Sequence, residues 1–279
     1  MSSAAPSTPE IAGATRLHRA FARRREQGSA ALVTYIMGGD PDLGTSRDMA
    51  LACVEGGADV LEIGVPFSDP VADGPVIQRA AERSLAAGTT LATCVDLVNA
   101  LRRETDVPIA LMGYWNPVLA YGEEHFLEDC QEVGVDALIV PDLLPEEAGP
   151  FGALSRAAGV ASVFLLAPTS TRARRAAVLA ATTGFVYFVS VTGVTGTRKE
   201  LPPELAAQVD AVRREASVPV AIGFGVSGPE QARALAGLAD GVVVGSAIVD
   251  RVAAGGARKT RAQRVRRFVS SLRRGLDRR

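Results

Sequence analysis

Two acids, Glu62 and Asp73, stand in settings where a carboxyl group can do chemistry. Glu62 interrupts an otherwise apolar run, Val60 to Val65, that reads as a strand. Alternation sends Val60, Glu62 and Gly64 to one side and Leu61, Ile63 and Val65 to the other. With both sides covered, Glu62 is a carboxylic acid in an apolar interior, unfavourable unless it stays protonated or meets a partner. Asp73 follows on a loop punctuated by Pro66, Asp69-Pro70 and Gly74-Pro75. Taken alone it reads as an Asp-Gly turn residue. Its place on the loop leaving the Glu62 strand makes the two a candidate acid/base pair in unlike environments.

A second constellation is Gly223-Phe224-Gly225 and Gly245-Ser246, each just after an apolar run. Ordinary turn glycines would read the same way, but two such turns on the last two strand-to-helix loops of a barrel suit a phosphate held by backbone N–H groups. Gly225 and Gly245 lack a Cβ and so admit close approach of phosphate oxygens. Ser227-Gly228-Pro229 resembles a helix start, with the serine available as cap. A third feature, Val191 to Arg198, is rich in Thr and Gly and reads either as a mobile flap or as a plain connector.

Absences narrow the mechanism. The lysines are Lys199 and Lys259, so no strand-end lysine offers a Schiff base. Cys53, Cys94 and Cys130 lack metal or disulfide spacing and read as small buried thiols. The only histidines, His18 and His125, make no metal site. A phosphorylated substrate would then be processed by carboxylates alone.

To face each other, these residues need a scaffold of parallel strands. Apolar strand-like runs fall at Ala31–Met37, Val60–Val65, Pro108–Tyr114, Ala137–Val140, Ala161–Leu166, Phe185–Val191, Pro219–Phe224 and Gly241–Gly245. Helical patterns alternate with them: Thr45–Glu55, Val76–Ala86 with Leu91–Glu104, Glu123–Val133, Pro145–Ala158, Thr171–Ala181, Pro203–Ala216, Pro229–Leu238 and Ala247–Val252. No hairpin signal joins consecutive strands, and eight such units predict an α/β fold, a single (β/α)8 TIM barrel. An extra helix, Ile11–Gln27, precedes it. The recurring Gly-Ala-Asp, Gly-Val-Asp and Ala-Asp-Gly steps at Asp59, Asp136 and Asp240 read as helix stops leading into strands. Residues 1–10 read as a short disordered leader, 11–257 as the barrel and 258–279 as a basic C-terminal helix or tail. The tail is a last helix with a solvated basic face, or a patch for an acidic partner or RNA.

A formal net charge of −1 argues against whole-protein attraction to nucleic acid or membrane. Without a bilayer-length apolar run or a secretory signal, a cytoplasmic location is expected.

The run Leu61 to Gln78 resembles the tryptophan synthase alpha chain family. So do Gly39-Asp40-Pro41, Leu111 to Tyr114, Pro141-Asp142, Ser190 to Gly196 and Gly223 to Gly225. The resemblance spans roughly Thr34 to Val249 and implies a barrel that cleaves indole-3-glycerol phosphate into indole and glyceraldehyde 3-phosphate. It implies that Glu62 protonates indole C3 and assists the retro-aldol step, while Asp73 holds the indole N–H. Tyr35, Tyr114, Tyr187 and the flap residue Thr195 are expected around the indole, and Gly196, Phe224, Gly225, Gly245 and Ser246 around the phosphate. A beta chain carrying pyridoxal phosphate is implied as partner in an α2β2 complex. It would receive indole through a tunnel and face Pro66–Asp73 and Asn116-Pro117, and no cofactor is expected in this chain. Other readings are a stand-alone lyase, a barrel that only activates its partner, and, more distantly, a sugar-phosphate isomerase. Tyr35 stands where a phenylalanine often touches indole, and its hydroxyl needs a partner if buried.

Overall fold

The computed structural model describes residues 12–189 and 204–277. The leader, 1–10, and the flap, with Thr195 and Gly196, lie outside the described residues. In chain order the first elements are α1 (Ala12–Glu26), β1 (Ala31–Met37), α2 (Leu43–Glu55), β2 (Val60–Gly64), α3 (Pro75–Ala86), α4 (Leu91–Arg102) and β3 (Ile109–Met112). Next come α5 (Trp115–Tyr121), α6 (Glu123–Val133), β4 (Ala137–Ile139), α7 (Gly149–Ala157), β5 (Ala161–Val163), β6 (Leu165–Leu166) and α8 (Arg172–Ala181). Last are β7 (Val186–Val189), α9 (Leu205–Glu215), β8 (Val220–Gly223), α10 (Pro229–Ala236), β9 (Gly241–Val244), α11 (Ser246–Ala253) and α12 (Arg258–Asp277).

Every ladder is parallel, and the order β5-β4-β3-β2-β1-β9-β8-β7-β6 bends round on itself. Its two ends, β5 and β6, are halves of one expected strand, Ala161–Leu166, parted at Phe164. Counting them as one stave leaves the eight-stave barrel that the alternation predicts. One helix is unexpected. Nothing in the composition of Trp115–Tyr121 announces α5, whose first N–H, on Trp115, is bound at 2.9 Å by the Asp142 carboxylate from the loop after β4.

The two faces of each strand enter different cores. Leu61, Ile63 and Val65 pack under the helices, whereas Val60 joins Val33, Ala110, Ile139, Val163 and Val243 inside the barrel. The lower interior is closed by α1, whose Leu17, Ala20 and Phe21 enter the same cluster, with Phe21 against Phe185 at 5.5 Å between ring centres. A side chain at Gly241 would stand 2.7 Å from the Phe21 ring, so this plug requires glycine there.

The Asp steps before strands do more than stop helices. Asp59 accepts the Leu32 N–H at 2.9 Å, Asp136 that of Ile109 at 2.8 Å and Asp240 that of Val220 at 2.9 Å, each stitching one strand's entry to its neighbour's. Arginines neutralise them: Arg23, Arg24 and Arg273 at Asp59, Arg16 and Arg102 at Asp136, and Arg213 at Asp240. The C-terminal arginines are therefore not all solvated. Val265, Phe268, Val269 and Leu272, which recur at helical spacing, bury one face of α12 together with Leu276, and Arg273 is buried with them on Asp59. Arg258 pairs with Asp48 and Arg266 with Glu55, both on α2.

Removing Asp59 would take from Arg273 its buried counter-charge and leave it only the half-exposed Asp277. Asp59→Ala is expected to lower the unfolding free energy by about 3 kcal/mol, read from urea titration.

Candidate active site

Glu62 points from the middle of β2 into the barrel, only 1% exposed. Neither carboxyl oxygen has a hydrogen-bond partner among the described residues. Burial, with the Asp73 charge adding to it, pushes its pKa up to about 8, so the acid is held protonated at neutral pH.

Asp73 is placed by its loop. Its N–H donates to the Pro70 carbonyl at 3.0 Å, and its own carbonyl accepts from the Gln78 side chain at 2.9 Å. Gly74 and Pro75 then start α3, which Arg83 ties down through a two-pronged bond to buried Asp40 at 2.7 and 2.8 Å. The Asp73 carboxylate accepts from the Tyr114 hydroxyl at 3.1 Å, and that hydroxyl accepts the Ala72 N–H at 3.0 Å. Burial raises Asp73 to about 6 while the Tyr114 bond pulls it down, so it is mainly ionised at neutral pH. The two acids therefore hold opposite protonation states.

Both line a cavity of about 350 Å³ at the C-terminal ends of the strands, within the size range of small-molecule sites. Tyr35 and Tyr187 line it too, set by the same device on two strand pairs. Tyr35 on β1 is in register with Glu62 and leans over Gly64, where a Cβ would meet its hydroxyl at 2.0 Å. Tyr187 on β7 is in register with Ala221 and leans over Gly223, where a Cβ would meet the ring at 2.6 Å. Tyr114 is placed differently from the indole contact expected of it. It lies behind the cavity wall, stacked on Phe67 at 5.2 Å between ring centres, and reaches the site through Asp73.

At the opposite rim stand Gly225, in the left-handed region at φ 61°, with Gly245 and Ser246 at the start of α11. Phe224 turns its ring outward onto Phe188, 6.1 Å between ring centres, leaving only its backbone near this rim. Ser227 does not cap α10. The cap position is Gly228, without a side-chain bond, and Ser227 lines the cavity instead. No arginine or lysine is among the described lining residues, so an anion here would meet N–H groups and hydroxyls.

Met112, Leu165 and Asp250 also line the cavity and went unseen in the sequence. Inward alternation with Ala110 could have shown Met112. Leu165 depends on the break at Phe164, and Asp250 on the first turns of a short helix, neither of which the pattern marks.

The profile of the family described as "Tryptophan synthase alpha chain" matches residues 21–276. The chain belongs to the tryptophan synthase alpha chain family. It is 51% identical over 235 residues to the tryptophan synthase alpha chain of Citrifermentans bemidjiense, covering 84% of this chain and 88% of that one. To that of Pelobacter propionicus it is 48% identical over 261 residues, covering 94% and 97%. Among solved structures, Mycobacterium tuberculosis tryptophan synthase superposes with a TM-score of 0.86 at 40% identity, covering 95% of this chain and 99% of that one.

The Glu62 pKa lies above its unfolded value, so the stability tied to its protonated form is complete below about pH 4.5 and lost as pH rises through about 8. A glutamine there does not ionise. Glu62→Gln is expected to match wild-type stability near pH 4 and exceed it on the order of 3 kcal/mol at pH 7, in paired denaturant titrations.

Proposed function

We propose that Glu62 and Asp73 carry out the family's reaction, cleavage of indole-3-glycerol phosphate to indole and glyceraldehyde 3-phosphate. The observation that carries this reading is Glu62 itself: a buried carboxyl group without a partner, aimed into a cavity whose other acid is ionised. Protonated Glu62 gives its proton to indole C3, and the ring becomes a cation. The Asp73 carboxylate accepts a hydrogen bond from the ring N–H and stabilises that charge. Glu62, now a carboxylate, takes the proton of the hydroxyl on the carbon attached to C3. That carbon becomes the aldehyde as its bond to C3 breaks, and the bonding pair returns to the ring. The phosphate rests at the rim formed by Gly225, Gly245, Ser246 and the Phe224 backbone, with Thr195 and Gly196 expected to complete the site from the flap.

The chain is proposed to act in the cytoplasm, without a cofactor of its own, beside a beta chain that uses pyridoxal phosphate to consume the indole. No single helix among the described residues is long and apolar enough to cross a membrane. Val71, 85% exposed on the loop that ends at Asp73, and Leu119, exposed on α5 beside Asn116-Pro117, give the partner an apolar landing next to the acids. Adding a beta chain to the purified chain is expected to raise the rate of indole release severalfold, and an unchanged rate would indicate a stand-alone lyase.

The two protonation states predict a bell. Activity requires Asp73 ionised and Glu62 protonated, so kcat/KM rises through about pH 6 and falls through about pH 8. Glu62→Gln and Asp73→Asn are each expected to abolish indole release while leaving phosphate-ligand binding nearly intact. Tyr114→Phe removes a donor that favours ionised Asp73, so its acid limb moves upward.

A further inference from the structure

The Tyr35 side chain is a hydrogen-bond donor with almost nothing to donate to. The residue is 6% exposed, and the contact of its hydroxyl among the described residues is the Met37 thioether at 3.9 Å, a weak acceptor. Its direction is fixed. The base of the ring lies against Gly245, the residue after β9, where an added Cβ would stand 3.4 Å from the Tyr35 Cβ. The tip lies over Gly64 of β2, two residues beyond Glu62 on the same face. The hydroxyl is thus at the acids' end of the cavity, away from the phosphate rim. Met37 and Met112 pack in the same cluster, with Met112 in register with Gly64, and the charges of Asp73 and Glu62 reach the hydroxyl without hydrogen-bonding to it among the described residues. Tyr187, the other tyrosine on the cavity wall, is only half-buried and keeps access to water.

An unsubstituted aromatic ring seated at this end covers the Tyr35 hydroxyl and offers it no acceptor, which weakens binding. A ring with its own hydroxyl at the facing edge supplies one. We propose that Tyr35 determines ring specificity, and that the site accepts hydroxyindoles through a hydrogen bond from Tyr35 Oη to the ring substituent. The proposal rests on the lyase reading for which end of the cavity holds the ring. It adds a class of substrate: indole glycerol phosphates hydroxylated on the benzo ring.

The test runs the reaction in the joining direction, with the full chain, glyceraldehyde 3-phosphate, and either indole or each of the four benzo-ring hydroxyindoles. Protonated Glu62 gives its proton to the aldehyde oxygen as indole C3 bonds to the aldehyde carbon, and the Glu62 carboxylate so formed then takes the C3 proton, restoring the ring. The quantity read is kcat/KM for each hydroxyindole divided by that for indole. Tyr35→Phe is expected to lower this ratio about tenfold for at least one isomer, whatever the substitution does to the rate with indole itself. An identical ratio in both proteins for all four isomers overturns the proposal, including the case where the variant loses the same factor on every ring. Dissociation constants for the same ligands, by calorimetry, give the ratio independently of turnover. A wild-type protein that binds indoles but joins none would count against the lyase reading and leave this ratio to decide the proposal.

Discussion

Removal of one carboxyl group from water, with nothing supplied to hold its charge, is the constraint on which the site depends. Glu62 lies on a strand flanked by others, faces an interior of Val, Ala and Ile, and keeps both oxygens unbonded. In such surroundings the neutral acid is the stable form, and it holds a proton that a deprotonated carboxylate would lack. The fold carries this as a local loss of stability, offset elsewhere in the barrel.

The offset is visible at the other end of the strands. Asp59, Asp136 and Asp240 also sit at low exposure, yet each has a strand N–H and at least one arginine. These paired acids tie strand entries together and anchor α1, α4, α9 and α12. One chain thus treats buried acids in two ways: charge-paired at Asp59, Asp136 and Asp240, and at Asp40 through Arg83, but unpaired at Glu62 inside the cavity. Asp73 lies between these extremes, with one hydroxyl donor and partial burial, and its pKa lies between those of an exposed carboxylate and Glu62.

Much of this was legible in the residues. Alternation gave the strands, the spacing of Gly and Asp gave the helix ends, and the apolar flanks of Glu62 announced its environment. What escaped had tertiary causes. Helix α5 starts because Asp142, distant in sequence, binds its first N–H. The split at Phe164 reflects the two neighbours that its stave must meet, β4 on one side and β7 on the other. Tyr114 shares a run with inward-facing strand residues, yet the strand ends before it and its ring goes behind the wall. Ser227 looked like a cap because it precedes Gly-Pro, but Gly228 took that position.

The sequence alone determined that an acid would be buried, that parallel strands would carry it, and that two glycine turns would sit at the ends of the last two strands. Periodicity and composition are local, and burial follows from them. Only the tertiary structure decided which donors reach which acid, so it alone set Glu62 protonated and Asp73 ionised, turned Phe224 away, and left the Tyr35 hydroxyl over Gly64 with the weak Met37 thioether as its acceptor. Those outcomes depend on distances of a few ångströms between strands far apart in the chain, and no local pattern encodes them.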